Sequence, residues 1–205
     1  MTVFDVTRDL MPGISGVPVT VAVAANRQLR AQLAQQAALR SVSDSETVLY
    51  ISRGRPPGEA VLAMARTALG WTAGRLTATI TDHSDPDRRQ VADLIAGWRG
   101  KLTFLDDLDD LDDRVAAAKP DLVVMSDPAG SHTELRQLDA AALNANARLV
   151  TTDIPGVAWM HRPDICLKAG ASGGAVQLRV IKHRYAPARD VSLRTVARSG
   201  ALLAV

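Results

Sequence analysis

The chain has 205 residues and a formal net charge of +2, with 47% apolar and 22% charged residues. This length can bury one sizeable core, and the near balance of charge excludes a globally basic nucleic-acid-binding protein. Aromatic residues make up only 3% of the chain, which argues against base stacking on single-stranded nucleic acid. The single cysteine, Cys166, excludes a disulfide framework and predicts strand packing.

The chain alternates strand-like and helix-like segments. Strands are predicted at apolar or β-branched runs, which are 17–25, 47–52, 76–81, 102–105, 121–125, 148–152 and 164–167. Helices are predicted between them, at 29–42, 58–71, 85–97, 108–118 and 134–146. In the acidic run 105–114, the leucines are expected to face inward from a solvated helix start. This order indicates βαβ units and a mostly parallel sheet covered by helices on both sides.

The C-terminal region predicts antiparallel strands. Two alternating runs, 176–181 and 191–196, surround a turn with Pro187 and indicate a β-hairpin that extends one edge of the sheet. Lys182 and Arg184 stand two residues apart at the end of the first strand, so their side chains are expected on one face. This ammonium and guanidinium pair suits a phosphate carried by another molecule, and a solvated basic strand end is the alternative.

Several short stretches of the sequence, taken in their order along the chain, resemble those of a known family. They are the stretches 19–25, 47–52, 119–125, 162–167 and 179–185. Nearly end to end, the chain resembles the RecA-like ATPase domain of DnaB-type replicative helicases. The resemblance implies a three-layer α/β/α fold in one domain, with an N-terminal arm at 1–16, a parallel core at 17–160 and a β extension at 161–205. It also implies that 19–25 leads into a phosphate loop and that 119–125 is the Walker B strand.

The chain departs from this family where the phosphate loop should lie. A phosphate loop needs glycines so that backbone N–H groups can surround the phosphates, and it needs a Lys and a Ser or Thr. By the resemblance, Arg30 stands at the last glycine, Ala31 at the lysine and Gln32 at the Ser/Thr. Asn26 and Arg27 begin the same degenerate segment, which contains no glycine. Side chains would therefore fill the space of the phosphates.

Other ATP-site positions are also replaced. Gly54 stands where the resemblance places the water-activating glutamate, and Ser126 stands at the Walker B aspartate. Asp127 comes one residue late, which turns its side chain to the opposite face of the strand. The stretch 150–155 lacks the glutamine expected to sense the γ-phosphate. We therefore expect no cofactor, ATP included, and no catalytic residue in cis.

The resemblance assigns Lys182 and Arg184 to the closing Lys-x-Arg motif, which reaches the ATP of a neighbouring subunit as an arginine finger. The chain is therefore predicted to be an inactive paralogue that assembles with itself or with a helicase- or recombinase-type ATPase and modulates DNA replication or repair. It shows no N-terminal signal segment and no membrane-spanning apolar run, so we expect a cytoplasmic protein with no membrane partner.

Two alternatives remain open. A Rossmann-like nucleotide- or nucleoside-binding enzyme or sensor could use Ser131, His132 and Glu134 after a strand, although a capped helix start explains the same residues. Direct DNA binding could use the basic residues Arg162, Lys168, Arg179, Lys182, Arg184, Arg189, Arg194 and Arg198. The stretch 82–87 is dense in metal-ligand types, but Pro86 and its acidic neighbours indicate a helix start, so no metal site is predicted.

Overall fold

The computed structural model describes residues 3–10, 17–53, 56–127, 131–153, 163–173 and 175–205. The strands in these ranges are β1 (Thr20–Ala24), β2 (Val48–Ile51), β3 (Leu102–Leu105), β4 (Leu122–Met125), β5 (Arg148–Asp153), β6 (Ile165–Ser172), β7 (Ala175–His183), β8 (Val191–Thr195) and β9 (Leu202–Ala204). The helices are α1 (Arg27–Ser43), α2 (Pro57–Leu69), α3 (Ala73–Thr81), α4 (Arg88–Ala96), α5 (Leu111–Ala118) and α6 (His132–Asn144).

All of these strands form one sheet in the order β3-β2-β4-β5-β1-β6-β7-β8-β9. Neighbouring strands from β3 to β6 run parallel, and β7, β8 and β9 continue the sheet with antiparallel pairings. This arrangement confirms the predicted mostly parallel sheet with an antiparallel C-terminal hairpin at one edge. The antiparallel region is larger than predicted, because β6 continues to Ser172 and pairs with β7, and β9 adds a further strand beside β8.

Helices cover the parallel strands on both faces. On one face, α1 buries Leu33 and α2 buries Met64 in a cluster with residues of β1, β2 and β4. On the other face, α5 buries Leu111 and α6 buries Leu138 against β2, β4 and β5. Consequently β2 and β4 are buried at all four of their positions. Among the described helices, none has the length and apolarity needed to cross a membrane.

The predicted strand at 76–81 is wrong, because these residues belong to helix α3. The run Leu-Thr-Ala-Thr-Ile-Thr alternates and is rich in β-branched residues, which favours a strand when the run is considered alone. In the fold, the buried residues are Leu76 and Thr79, which stand three apart as on one face of a helix. Thr72 caps this helix by accepting a hydrogen bond from the Arg75 N–H at 3.1 Å.

The N-terminal segment 3–10 packs into the core. Phe4 and Val6 are buried, and the Phe4 N–H donates to the Leu202 carbonyl of β9 at 2.9 Å. On the other side, Arg148 of β5 donates to the Thr7 hydroxyl at 2.9 Å. The segment therefore links the parallel strands to the last antiparallel strand.

A β-bulge interrupts the pairing of β6 with β7. Leu167 pairs with Val180 and Cys166 pairs with Lys182, so Ile181 has no partner on β6. One extra residue in a strand reverses the alternation of its side chains beyond that point. Val180 is buried in the core, whereas Lys182 lies on the opposite face beside its partner Cys166.

Candidate functional site

The junction between β1 and α1 contains only Ala25 and Asn26. Asn26 is the N-cap of α1, and its Oδ1 accepts a hydrogen bond from the Leu29 N–H at 2.9 Å. The cap side chain thus occupies one of the N–H groups that a helix start leaves free. A connection of two residues with a filled cap leaves no loop of successive N–H groups that could surround a phosphate chain.

The side chains in the first turns of α1 point to different surroundings. Arg27 is exposed, whereas Arg30 is buried and no described residue accepts a hydrogen bond from its Nε. Gln32 donates from Nε2 to the Gly200 carbonyl, in the turn between β8 and β9, and Ala31 is half-buried. Of the side chains that the resemblance assigns to the phosphate loop, Arg27 therefore faces solvent, Arg30 lies in the core and Gln32 contacts the turn between β8 and β9.

An open cleft of about 640 Å³ lies between the N-terminal half of α1, helix α2 and the antiparallel strands. The residues that line it include Arg27, Arg66, Gln28 and Gln35. None of the described residues that line it is acidic. The cleft can therefore accept an anionic group, but its lining offers no carboxylate to activate water or to hold a metal ion.

The Walker B position lies where β2, β4 and β5 end side by side. Ser126 is buried, its N–H and its Oγ both donate to the Ile51 carbonyl at 3.1 and 3.3 Å, and its carbonyl accepts from the Thr152 hydroxyl at 2.8 Å. Asp127 follows, with its Oδ2 at 3.5 Å from the Ser126 Oγ. The fold thus brings these residues together at the strand ends, where Ser126 joins three strands. Gly54 lies outside the described residues.

Ser131 and Glu134 have partners that stabilise the start of α6. Ser131 is the N-cap, and its Oγ accepts from the Glu134 N–H at 3.3 Å. The Glu134 carboxylate lies 3.1 Å from Nη1 of Arg53, which follows β2. The side chain of His132 lies outside what the structure describes. These contacts favour the capped helix start over a ligand site for two of the three residues.

Lys182 and Arg184 both reach the residues that precede β6. The Lys182 Nζ donates to the Pro163 carbonyl at 2.7 Å, and the Arg184 Nη1 lies 3.0 Å from Asp164 Oδ1. The other carboxylate oxygen of Asp164 accepts the Thr20 N–H of β1 at 3.1 Å. Hydrogen bonding and the charge of Asp164 raise the pKa of Arg184 above its usual value. The Arg184 side chain is nevertheless 67% exposed, so most of it faces solvent.

Sequence reasoning missed the role of Asp164. The sequence shows it only as an acid before an apolar strand, and the pairing of β6 with β1 is needed to place it beside both Thr20 and Arg184. The Asp164 carboxylate links the start of β6 to β1 through the Thr20 N–H, and it orients the guanidinium of Arg184. It is therefore a positioning residue for the basic strand end.

The other candidate residues occupy ordinary structural environments. Within the described residues, no group of three or more His, Cys, Asp or Glu side chains is arranged to hold a metal ion, and Asp82 accepts hydrogen bonds from Ser84. Cys166 is buried in β6, and burial raises the pKa of its thiol. The basic residues considered for DNA binding are exposed wherever the structure describes them, and Arg162 lies outside the described residues.

Comparison with known proteins places the fold. No protein-family model matches the chain, and no curated protein matches it in sequence. The chain is similar to a solved structure described as an ATPase domain, with 16% identity, a TM-score of 0.72, and 91% of this chain and 84% of that chain covered. It is also similar to a DnaB-like replicative helicase whose structure was described with its interactions with primase, with 16% identity and a TM-score of 0.70 over 91% of this chain.

The chain spans 57% of the length of that helicase chain. Both similarities cover nearly the whole of the present chain. The chain therefore has the RecA-like fold of DnaB-type ATPase domains, and the fold that the sequence resemblance predicts is confirmed.

Proposed function

We propose that this chain is a catalytically inactive RecA-like protein that assembles with itself or with a helicase-type ATPase in the cytoplasm and modulates DNA replication or repair. The observation that carries the proposal is the two-residue connection between β1 and α1, in which Asn26 caps the helix. So short a connection cannot surround a triphosphate with backbone N–H groups. In this proposal the chain therefore acts through another molecule rather than through a nucleotide of its own.

In this proposal, Lys182 and Arg184 act on the nucleotide of a neighbouring ATPase. Pro163 and Asp164 orient the two side chains, and most of the Arg184 side chain remains in solvent. An arginine supplied in trans stabilises the charge that develops on a transferred phosphoryl group and contributes about 10³–10⁵ in rate. The hydrogen bonds of Ser131 and Glu134 favour this role over a ligand site at the start of α6.

The test is to mix the purified chain with a DnaB-type helicase and to measure ATP hydrolysis and complex formation. The chain alone is expected to hydrolyse no ATP, and the mixture is expected to hydrolyse ATP at a rate different from that of the helicase. Arg184→Ala is expected to abolish this difference while complex formation persists, because the substitution removes the guanidinium and leaves the strands intact.

Arg189→Ala is the matched control, since Arg189 is an exposed arginine in the same C-terminal region. It is expected to behave like the wild type. The finger role is refuted if neither the wild type nor Arg184→Ala changes the ATPase rate or the assembly of the helicase. ATP hydrolysis by the chain alone would refute the inactive state.

A further inference from the structure

The antiparallel strands present a row of unpaired cations on one side of the sheet. Lys168 of β6 stands directly opposite Arg179 of β7, and Arg194 of β8 stands opposite Ala175 on the same face. Gln177 and Ser192 lie between them, joined by a hydrogen bond of 3.0 Å. All three cations are exposed. We call this surface, made of Lys168, Gln177, Arg179, Ser192 and Arg194, the basic sheet face.

The basic sheet face is electrostatically unsatisfied within one molecule. Like charges directly opposite each other on neighbouring strands destabilise a sheet. Within the described part of the chain, no carboxylate forms an ion pair with Lys168, Arg179 or Arg194. Helices α5 and α6 cover β2, β4 and β5 on their side of the sheet, and the cluster they form includes no residue of β6, β7 or β8. The face is therefore open to a partner that carries negative charge.

An acidic counterpart lies at the other end of the same sheet. The stretch 106–113, which we call the acidic segment, follows β3, and β3 is the edge strand farthest from β7 and β8. Asp107 pairs with Arg114 at 3.0 Å. Leu108 and Leu111 anchor the segment in the core, so its carboxylates are presented on a fixed backbone. The remaining acids of the segment are exposed, and no described cation forms an ion pair with them; they are Asp106, Asp109, Asp110, Asp112 and Asp113.

We propose that the basic sheet face binds the acidic segment of a second copy of this chain. The two surfaces lie at opposite ends of the sheet, so one molecule cannot satisfy both, and each copy donates one surface and receives the other. Such a heterologous contact assembles copies head to tail into a ring or an open chain. Opposite charges on the two surfaces steer the encounter and fix its orientation. The proposal rests on the proposed function and specifies its self-assembly part.

A nucleic acid is the other polyanion that such a face could bind. The described face offers three cations and no aromatic side chain, which is a small footprint for a phosphate backbone. The chain itself carries a fixed acidic segment of opposite charge with exposed carboxylates, and this charge complementarity favours a second copy.

The test is a charge swap read by sedimentation velocity in about 50 mM salt, where surface charges are weakly screened. The wild type is expected to exceed the monomer mass of 21.8 kDa and to return to it in about 500 mM salt. Arg179→Glu with Arg194→Glu, and separately Asp106→Lys with Asp109→Lys, are each expected to raise the dissociation constant about 10- to 100-fold. Mixing the two variants is expected to restore assembly, because each then offers one native surface to the other.

Arg89→Glu with Arg99→Glu is the matched control, since it makes the same charge change at exposed arginines outside both surfaces. It is expected to assemble like the wild type. The proposal is overturned if the wild type remains monomeric at low salt, if the control dissociates as much as the swap variants, or if mixing restores nothing. Binding of a DNA duplex through Arg179 and Arg194 by a monomeric wild type would also overturn it. The swap variants retain Lys182 and Arg184, so these outcomes leave the finger proposal to its own ATPase test.

Discussion

The parallel and antiparallel parts of the sheet use their side chains in different ways. In β2 and β4, all four positions are buried, because helices cover both faces. In β7, exposed and buried residues alternate from Ala175 to Ile181, because one face meets the core and the other meets solvent. The parallel part holds the side chains that the covering helices bury. The antiparallel part carries the exposed groups that can act on another molecule.

The largest expected effect tests this contrast directly. Leu49→Ala and Leu122→Ala remove fully buried side chains from opposite faces of the parallel part, and each is expected to lower the free energy of unfolding by about 2–5 kcal/mol. In β7, Leu178→Ala is expected to cost a similar amount, whereas Gln177→Ala on the exposed face is expected to stay within about 0.5 kcal/mol. Urea denaturation of the four variants measures these differences. A large loss at Gln177 would contradict one-sided burial of β7.

A second prediction concerns the link between the two parts. Arg148 of β5 donates to the Thr7 hydroxyl at 2.9 Å and the Ser41 hydroxyl at 3.1 Å, and it pairs with Glu46. Its side chain is only 14% exposed. Arg148→Ala is expected to lower the free energy of unfolding by about 1.5–3 kcal/mol, because it removes charge-assisted hydrogen bonds. Urea denaturation at neutral pH measures the loss.

The effect of Arg148→Ala is expected to depend on pH. Burial pushes the pKa of Glu46 upward, but the Ser41 hydrogen bond and the charges of Arg148 and Arg8 outweigh it, so the pKa lies below its ordinary value. A carboxyl with a lowered pKa stabilises the fold above its unfolded pKa, and this stabilisation is lost as pH falls through the folded pKa. The difference between wild type and variant should therefore shrink in acid. A difference that grows in acid would contradict this assignment.

The smallest expected effect is at the junction between β1 and α1. Asn26→Ala removes the side chain that caps α1 and is expected to lower the free energy of unfolding by about 1 kcal/mol. Asn26→Gly is the control, since glycine at an N-cap costs only a few tenths of a kcal/mol relative to asparagine. Thermal unfolding of both variants measures the difference. Stability of Asn26→Ala equal to that of the wild type would mean that the cap contributes nothing.

Much of the fold could be predicted because periodicity and burial agree in most elements. The continuous apolar runs at β1, β2 and β4 are buried on both faces, as their composition indicates. At α3 the local preference and the fold disagree, since a β-branched run becomes a helix that packs against α2 and α4. β9 has three residues, too few for a recognisable period, and it forms because β8 and the Phe4 N–H pair with it.

The site was less predictable, because its geometry depends on contacts between distant parts of the chain. The absence of glycines at Asn26–Gln32, on which the proposed loss of the phosphate loop rests, could be seen in the sequence. The partners of Lys182 and Arg184 could not, since Pro163 and Asp164 lie about twenty residues earlier and meet them only through strand pairing. The basic sheet face depends on the register of three strands, which alternation within one strand does not determine.

The face of the sheet on which Lys182 lies is set by the one extra residue at the bulge, Ile181, and not by the type of that residue. Val176, Leu178 and Val180 follow a two-residue period into the core, and the same period would carry the ammonium there as well. The unpaired residue moves the strand into the opposite phase, so Lys182 lies on the side of Lys168 and Arg179. Many side chains could replace Ile181 without changing that direction. A regular strand that kept Ile181 would turn the charge inward and break the continuity of the positive surface, whereas deleting Ile181 would place the lysine directly after Val180, still on the outward face opposite Cys166.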